Sequence, residues 1–359
     1  MMFNKAKNPL HKTKKQLLAG LAVGISIIAA LMFAADFGGV LGVFASMDLR
    51  FLPLILLLAP LNYFFRFIKW NYYLKLSGLF PAPRMNRYIF MSGLSMTITP
   101  GKLGELVKCY LLKEHLGAPF SKTSSIVMAE RVTDGLSIVI LASLGLLAYP
   151  YAKVAIPIAA AILLLFVLIF YFDRPFTFVL GKLGNLAGIV GTTWNKADLA
   201  RQNNPAVQDE LAKLTEQTRQ VGRIKKFFQR CLFFLANFQR SAKTLLSPAS
   251  LLFAVGIGVV SWGFEGFVVF LAVKALGGEI SVLASFFVVS FSSLLGALFF
   301  LPGGLGIAEG SIMAILLQMG IGSEIAAATT IITRFSTLWL GVFIGIVGLA
   351  LVQKELTKT

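Results

Sequence analysis

Nine charged residues fall inside or beside long apolar runs of this 359-residue chain: Lys102, Glu105, Lys108, Glu130, Arg131, Asp134, Glu265, Glu309 and Arg334. A charged side chain at the centre of a bilayer costs about 2.5–3.5 kcal/mol even on the lenient insertion scale, so residues kept there are candidates for function. The types suggest a chemistry. Arginine offers a planar fork that grips phosphate oxygens two at a time, and lysine adds a compact positive charge. Carboxylates among them can pair with the arginines between substrates or carry protons. The candidate substrate-binding set is Lys102, Glu105, Glu130, Arg131, Asp134, Glu309 and Arg334. Glu130 and Asp134 share a helix face, and Arg131 reaches Asp134 at i,i+3.

Hydrolytic and metal chemistry finds little support. There is no G-x-S-x-G, H-E-x-x-H or Walker A pattern, and His11 and His115 are the only histidines. Cys109 and Cys231 stand far apart without a CxxC, which indicates neither a disulfide framework nor a zinc site. The expectation is a protein without catalytic residues, metal or cofactor.

Two interruptions position the charges. One lies at Thr99-Pro100-Gly101-Lys102-Leu103-Gly104, the other at Leu301-Pro302-Gly303-Gly304-Leu305-Gly306. Proline removes a backbone donor and glycine loosens a helix, so neither apolar stretch can run through as one helix. Each flank is too short to span alone, which predicts two re-entrant hairpins, 86–113 and 281–319. The helix returning from each break begins at Pro100, Gly101 and Gly104 or at Pro302, Gly303, Gly304 and Gly306, and its unpaired N–H groups favour an anion. Both breaks read Pro-Gly-x-Leu-Gly, both follow a full span, and both precede an intramembrane arginine by about 30 residues, Arg131 or Arg334. Interrupted segments in corresponding halves are a pointer to an inverted repeat around a midplane binding site.

Composition agrees with a membrane setting. Apolar residues make up 57% of the chain, charged residues 14%, and mean hydropathy is +0.80. Soluble domains carry about 25% charged residues. The fold class expected is an all-α polytopic membrane protein, one domain over 1–359. About six full spans (16–34, 51–69, 124–149, 154–172, 250–273, 325–351) accompany the two hairpins, and 173–249 is a cytoplasmic insertion. A cleaved signal peptide is the rival for 16–34, disfavoured by the length of the run and the lack of an A-x-A site.

The 33 Lys+Arg exceed the 16 Asp+Glu by 17. The excess collects in the segments predicted inside, including Arg66, Lys69, Lys75, Arg84 and Arg87, which puts both termini in the cytoplasm. No soluble basic domain offers itself to nucleic acid. Within the insertion, residues 223–246 read as a basic amphipathic helix, lying on the cytoplasmic leaflet or packed on the protein's own underside.

Blander readings stand beside the functional ones. Arg131 with Asp134 or Glu130 is also readable as a structural pair, and Lys108 as facing interfacial water. Glu265 is readable as a packing partner or a functional group, and Gly341-x-x-x-Gly345 as a helix-packing motif. Trp70, Tyr72 and Tyr73 read as interfacial anchors.

The motifs together resemble a known family. Arg66-Phe67-Ile68-Lys69-Trp70, the two breaks with Glu105 and Glu309, Glu130-Arg131-x-x-Asp134 and Arg334 look like the flippase-like membrane family related to the N-terminal membrane domain of lysylphosphatidylglycerol synthase, the multiple peptide resistance factor. The resemblance covers roughly residues 15–350. It implies a cytoplasmic-membrane protein that moves phospholipid, anionic or zwitterionic, between leaflets. It also implies no aminoacylation, because the soluble transferase domain does not follow the last span. A homo-oligomer and a lipid-biosynthetic enzyme are the candidate protein partners. A non-transporting scaffold for such an enzyme, or a transporter of a small ion or a polyprenyl-phosphate-linked substrate, remain the alternatives.

Overall fold

The computed structural model describes residues 22, 24–99, 103–145, 155–172, 174–175, 238–239, 241–299 and 303–356. Helix is the regular structure among them, with no strand. In chain order the helices are α1 (Gly24–Ala34), α2 (Phe37–Ala45), α3 (Leu52–Leu76), α4 (Pro83–Leu94), α5 (Val107–Leu116), α6 (Phe120–Gly145) and α7 (Ala155–Tyr171). They continue with α8 (Pro248–Ala275), α9 (Val282–Leu298), α10 (Ile307–Gln318), α11 (Ser323–Arg334) and α12 (Leu340–Leu356). A π-helical turn, Phe335–Trp339, joins the last two into one rod over Ser323–Glu355.

Among the described residues three unbroken stretches are long and apolar enough to cross a membrane, Leu49–Leu76, Pro248–Ala275 and Ser323–Glu355, and the bent pair Gly24–Ala34 with Phe37–Ala45 qualifies when taken together. At 1.5 Å per residue each unbroken stretch exceeds the ~30 Å of a hydrocarbon core. The spans expected at 16–34 and 51–69 leave residues 35–50 as a connecting loop. Instead α2 forms there, turned 96° from α1. Asp36 makes the corner, with φ at 70° and its carboxylate accepting from Gly39 N at 3.0 Å. An N-cap acceptor starts a helix where hydropathy alone reads as a gap.

Both predicted interruptions are present as helix–break–helix hairpins. In the first, α4 and α5 flank a break over 95–106; in the second, α9 and α10 flank 299–306. Pro100, Gly101, Lys102 and Pro302 lie outside the described residues. The first hairpin unwinds at Ser95, before the proline, into tight turns in which Thr97 N donates to Leu94 O and Thr99 N to Met96 O, and hydroxyls of the same run bond back to the backbone as well. Ser92 donates to Ile89 O at 2.6 Å, Ser95 to Ser92 O at 2.7 Å, Thr97 to Leu94 O at 2.8 Å and Thr99 to Met96 O at 2.7 Å. Short side chains that bond their own backbone compete with the helical ladder, so this serine and threonine run both loosens the helix and helps to satisfy what it loosens.

The helices pack in a reciprocal pattern. The long helices α3 and α8 lie against each other. The arm α4 packs on α12 from the distal half of the chain, and the arm α9 packs on α6 from the proximal half. One apolar core gathers Trp70, Ile89, Leu112 and Val352; the other gathers Ala142, Phe287, Leu316 and Ala327. Ile55, Leu58, Val268 and Ala272 form the seam between α3 and α8. The two breaks meet: a Cβ built on Gly303 would lie 3.3 Å from Ile98 Cα.

Most of the insertion lies outside the described residues. Its described end, Phe238, Ala242, Leu245 and Leu246, is buried in the core around α4, so that part packs on the protein's own body.

Gly345 lets α12 reach the first break, since a Cβ there would overlap the backbone of Ser95, and one on Gly348 would lie 2.8 Å from Ser92 N. Gly345→Ala should lower the melting temperature in detergent by an amount corresponding to about 1–3 kcal/mol of overpacking. Gly256→Ala, where a Cβ meets open space, should leave it unchanged or raise it slightly.

Candidate functional site

The first hairpin, α3 and α6 together build a buried ionic cluster. From α3 come Arg66 and Lys69, from the break Glu105, from α5 Lys108, and from α6 Glu130, Arg131 and Asp134. Glu105, Lys108, Glu130 and Asp134 are all nearly inaccessible to solvent. Burying such charges is favourable only when partners replace the lost water, and each has one. Lys108 Nζ lies 2.6 Å from Glu130 Oε2 and 3.8 Å from Glu105 Oε2. Lys69 Nζ bonds Asp134 Oδ1. Asp134 Oδ2 is 3.2 Å from Arg131 Nη2 and 3.9 Å from Arg66 Nη2.

Arg131 stands at the hub. Its Nη2 lies 3.2 Å from both Glu105 Oε2 and Asp134 Oδ2, tying the break to α6. The side chain keeps 19% of its surface, against 3% for Lys108 and 1% for Lys69. Its Nη2 lacks the alignment of a hydrogen bond to either carboxylate, and among the described residues Nε meets no acceptor. A guanidinium whose fork is held by charge but short of hydrogen bonds can accept a planar oxyanion. Among the described residues four cations, Arg66, Lys69, Lys108 and Arg131, face three carboxylates, Glu105, Glu130 and Asp134, leaving one positive charge in excess.

Aromatic residues seal the cluster. Trp70 and Tyr73 are fully buried, so they are not the interfacial anchors expected of them. Lys108 Nζ sits 4.3 Å from the Trp70 ring centroid, a cation–π arrangement. Trp70 Nε1 donates to Asn86 Oδ1 at 2.9 Å, and Tyr73 OH donates to Thr133 Oγ1 at 3.5 Å. Lys108 therefore does not face interfacial water. Arg66 and Lys69 do not belong among the inside loop charges either, being buried at 8% and 1% exposure. The signal for both was in the sequence: Asn62, Arg66, Lys69 and Tyr73 recur at i, i+4, i+7 and i+11, a polar stripe along one face of a mostly apolar helix.

The second break carries a smaller arrangement. Gly303, Gly304 and Gly306 hold φ at 60°, 67° and 88°, a region that favours glycine. Glu309 Oε2 accepts from Gly306 N at 2.7 Å, and its other oxygen accepts from Arg334 Nε. Arg334 Nη2 donates to Gly303 O at 2.8 Å. Arg334 and Glu309 thus clamp the turn. At the first break the equivalent contact is neutral, Thr99 Oγ1 accepting from Gly104 N at 2.7 Å. A Cβ on Gly104 would lie 2.8 Å from Met96 Cβ, so the close turn needs glycine there. Arg131 thus pairs with Glu105 and Asp134, and Arg334 with Glu309, whereas Glu130 pairs with Lys108 rather than with an arginine. Lys102 lies outside the described residues.

Removing one member of a buried pair strands the other, at about 3–5 kcal/mol. Glu130→Leu should therefore lower thermal stability in detergent by that order, and adding Lys108→Met should restore most of it. A single variant as stable as the parent would contradict the pairing.

The family model for the lysylphosphatidylglycerol synthase TM region matches residues 17–345. A UPF0104 membrane protein of Pyrococcus horikoshii is 23% identical over 344 residues, covering 92% of this chain and 95% of its own. One from Methanothermobacter thermautotrophicus is 23% identical over 347 residues, covering 95% and 94%. Matched across both hairpins and nearly all of its helices, this multi-pass membrane protein belongs to the lysylphosphatidylglycerol synthase transmembrane-region family.

Proposed function

We propose that this protein is a lipid translocase of the cytoplasmic membrane, with both termini inside, that moves a phosphate-bearing headgroup between leaflets. Headgroups pass through the ionic cluster while acyl chains stay in the bilayer, and no covalent step occurs. Six spans and two re-entrant hairpins, arranged as an inverted repeat, make the path. The reciprocal packing of α4 on α12 and α9 on α6 supports that arrangement, because a two-fold relation makes contacts mutual.

One observation carries the reading: two broken helices touch at Gly303 and Ile98 beside a buried cluster with an excess of positive charge. Non-helical backbone in a membrane bundle is tolerated where protein or a polar cavity surrounds it, and paired breaks near the midplane are how secondary transporters build substrate sites. Arg131 takes the phosphate, exchanging the two imperfectly aligned carboxylates for two aligned oxygens. Lys102 adds charge from the break. Glu105, Glu130 and Asp134 hold the cations between substrates. Arg334 and Glu309 keep the second break in shape, so a phosphate reaching Arg334 would have to displace both Glu309 and the Gly303 carbonyl. A polyprenyl-phosphate-linked cargo offers Arg131 the same oxygens, and competition between headgroups separates it from a phospholipid.

The test is reconstitution with fluorescently labelled phosphatidylglycerol and phosphatidylethanolamine, read by quenching of the exposed leaflet. Arg131→Ala should slow translocation at least about tenfold, the equivalent of losing one charge-assisted hydrogen bond pair, and Arg131→Lys should recover part of it. If Arg131→Ala moves every lipid as fast as the parent, the assignment fails.

A further inference from the structure

Glu265 lies within α8, whose 28 residues contain one other charge, Lys274, at the far end. No role in the cluster or at either break falls to it. Glu265 Oε1 accepts a hydrogen bond from Asn62 Nδ2 at 3.1 Å, and the same nitrogen donates to Ser261 O at 2.8 Å. Asn62 is buried at 1% exposure, and among the described residues its Oδ1 meets no donor. A primary amide can serve a carboxyl in either state: Nδ2 donates to a carboxylate, and Oδ1, after a half-turn, accepts from a carboxylic acid.

Asn62 also begins the buried stripe of α3. One turn on is Arg66, then Lys69, and both engage Asp134 of the cluster. Tyr63, beside Asn62, lies within the electrostatic reach of both Glu265 and Arg66 and donates to Thr337 O in the π-helical turn. The stripe therefore joins a carboxyl on α8 to the cations around Arg131 through one face of one helix.

We propose that Glu265 is the proton-carrying residue that couples transport to a pH gradient, resting on the translocase reading above. The proton adds to a carboxylate oxygen of Glu265 and leaves from it; the only bond made and broken is that O–H. Ionised, Glu265 holds the field of Arg66 toward α8. Protonated, it releases Arg66 to Asp134, which loosens the grip of Asp134 on Arg131 and frees the guanidinium for phosphate. Tyr63 on α3 interacts electrostatically with Glu265; the same helix carries Arg66 and Lys69, the latter with its Nζ 3.5 Å from where a Cβ on Gly258 of α8 would lie, and α6 carries Glu130, Arg131 and Asp134. α9 has none along its length, α11 has Glu324 and Arg334 at its ends, and Asp48 and Arg50 lie where residue 48 bonds the last turn of α8.

The full chain in phosphatidylglycerol–phosphatidylethanolamine vesicles, with labelled phosphatidylglycerol, gives the test under an imposed pH gradient. One proton per lipid should shift the steady-state leaflet ratio toward about tenfold per pH unit. Glu265→Gln should hold the ratio near one, with gradient-free exchange within about twofold of the parent, and Glu265→Asp should keep the response. Infrared difference spectra on acidification should show a protonated-carboxyl band in the parent that Glu265→Gln lacks, whether or not lipid moves. A parent-like gradient response in Glu265→Gln, or the same band in both, overturns the assignment. A parent that equilibrates lipid but ignores the gradient overturns coupling and leaves translocation standing. A parent that equilibrates no lipid removes the translocase reading and the coupling with it.

Discussion

Backbone that leaves a helix within a membrane bundle must find its hydrogen bonds in the protein, because lipid supplies none. Everything around the two breaks follows from that constraint. The first break satisfies it with tight backbone turns, with hydroxyls that reach back three residues, from Ser92 to Thr99, and with Thr99 Oγ1 accepting from Gly104 N. The second satisfies it with charge, Arg334 donating to Gly303 O and Glu309 accepting from Gly306 N. The two solutions differ in consequence. A hydroxyl ladder leaves the ions of its own unit, Glu105 and Lys108, available to a network, whereas the second break has spent its arginine and glutamate on its own shape.

The buried network is costly unless it is complete. Its members come from four places in the chain, α3, the first break, α5 and α6, so the cluster acts as a polar rivet between elements that apolar contacts alone would leave free to slide. That rivet is tight at Lys69–Asp134 and Lys108–Glu130. It is loose at Arg131, where two carboxylates share one nitrogen. A site built for exchange needs this combination: fixed cations to hold the potential, and one whose present partners satisfy it incompletely. The family model matches residues 17–345; the relatives' names say that they are membrane proteins and name no cargo.

Much of this was legible before any coordinates. Proline and glycine in an apolar run forbid a continuous helix for local covalent reasons, so both hairpins could be read directly. The carboxylates and arginines of the cluster stood out because charge in an apolar run has no cheap explanation. Arg66 and Lys69 did not, because a basic residue near the end of a span usually snorkels to the interface. Lys108 was misread for the same reason, and Trp70 and Tyr73 because aromatic residues near a span's end usually sit at headgroups. In each case the local rule was sound and the neighbours overrode it: Trp70 turns inward because Lys108 and Asn86 await it there.

The amino-acid sequence by itself determined a helical membrane protein with two interrupted hairpins and a surplus of unusual charge, since periodicity, backbone stereochemistry and transfer energy act within a few residues. Only the tertiary structure decided which charges meet. Lys69 finds Asp134 across 65 positions and Arg334 finds Glu309 across 25, and whether a lysine snorkels to water or is buried against a carboxylate depends on what packing brings within a few ångströms of it.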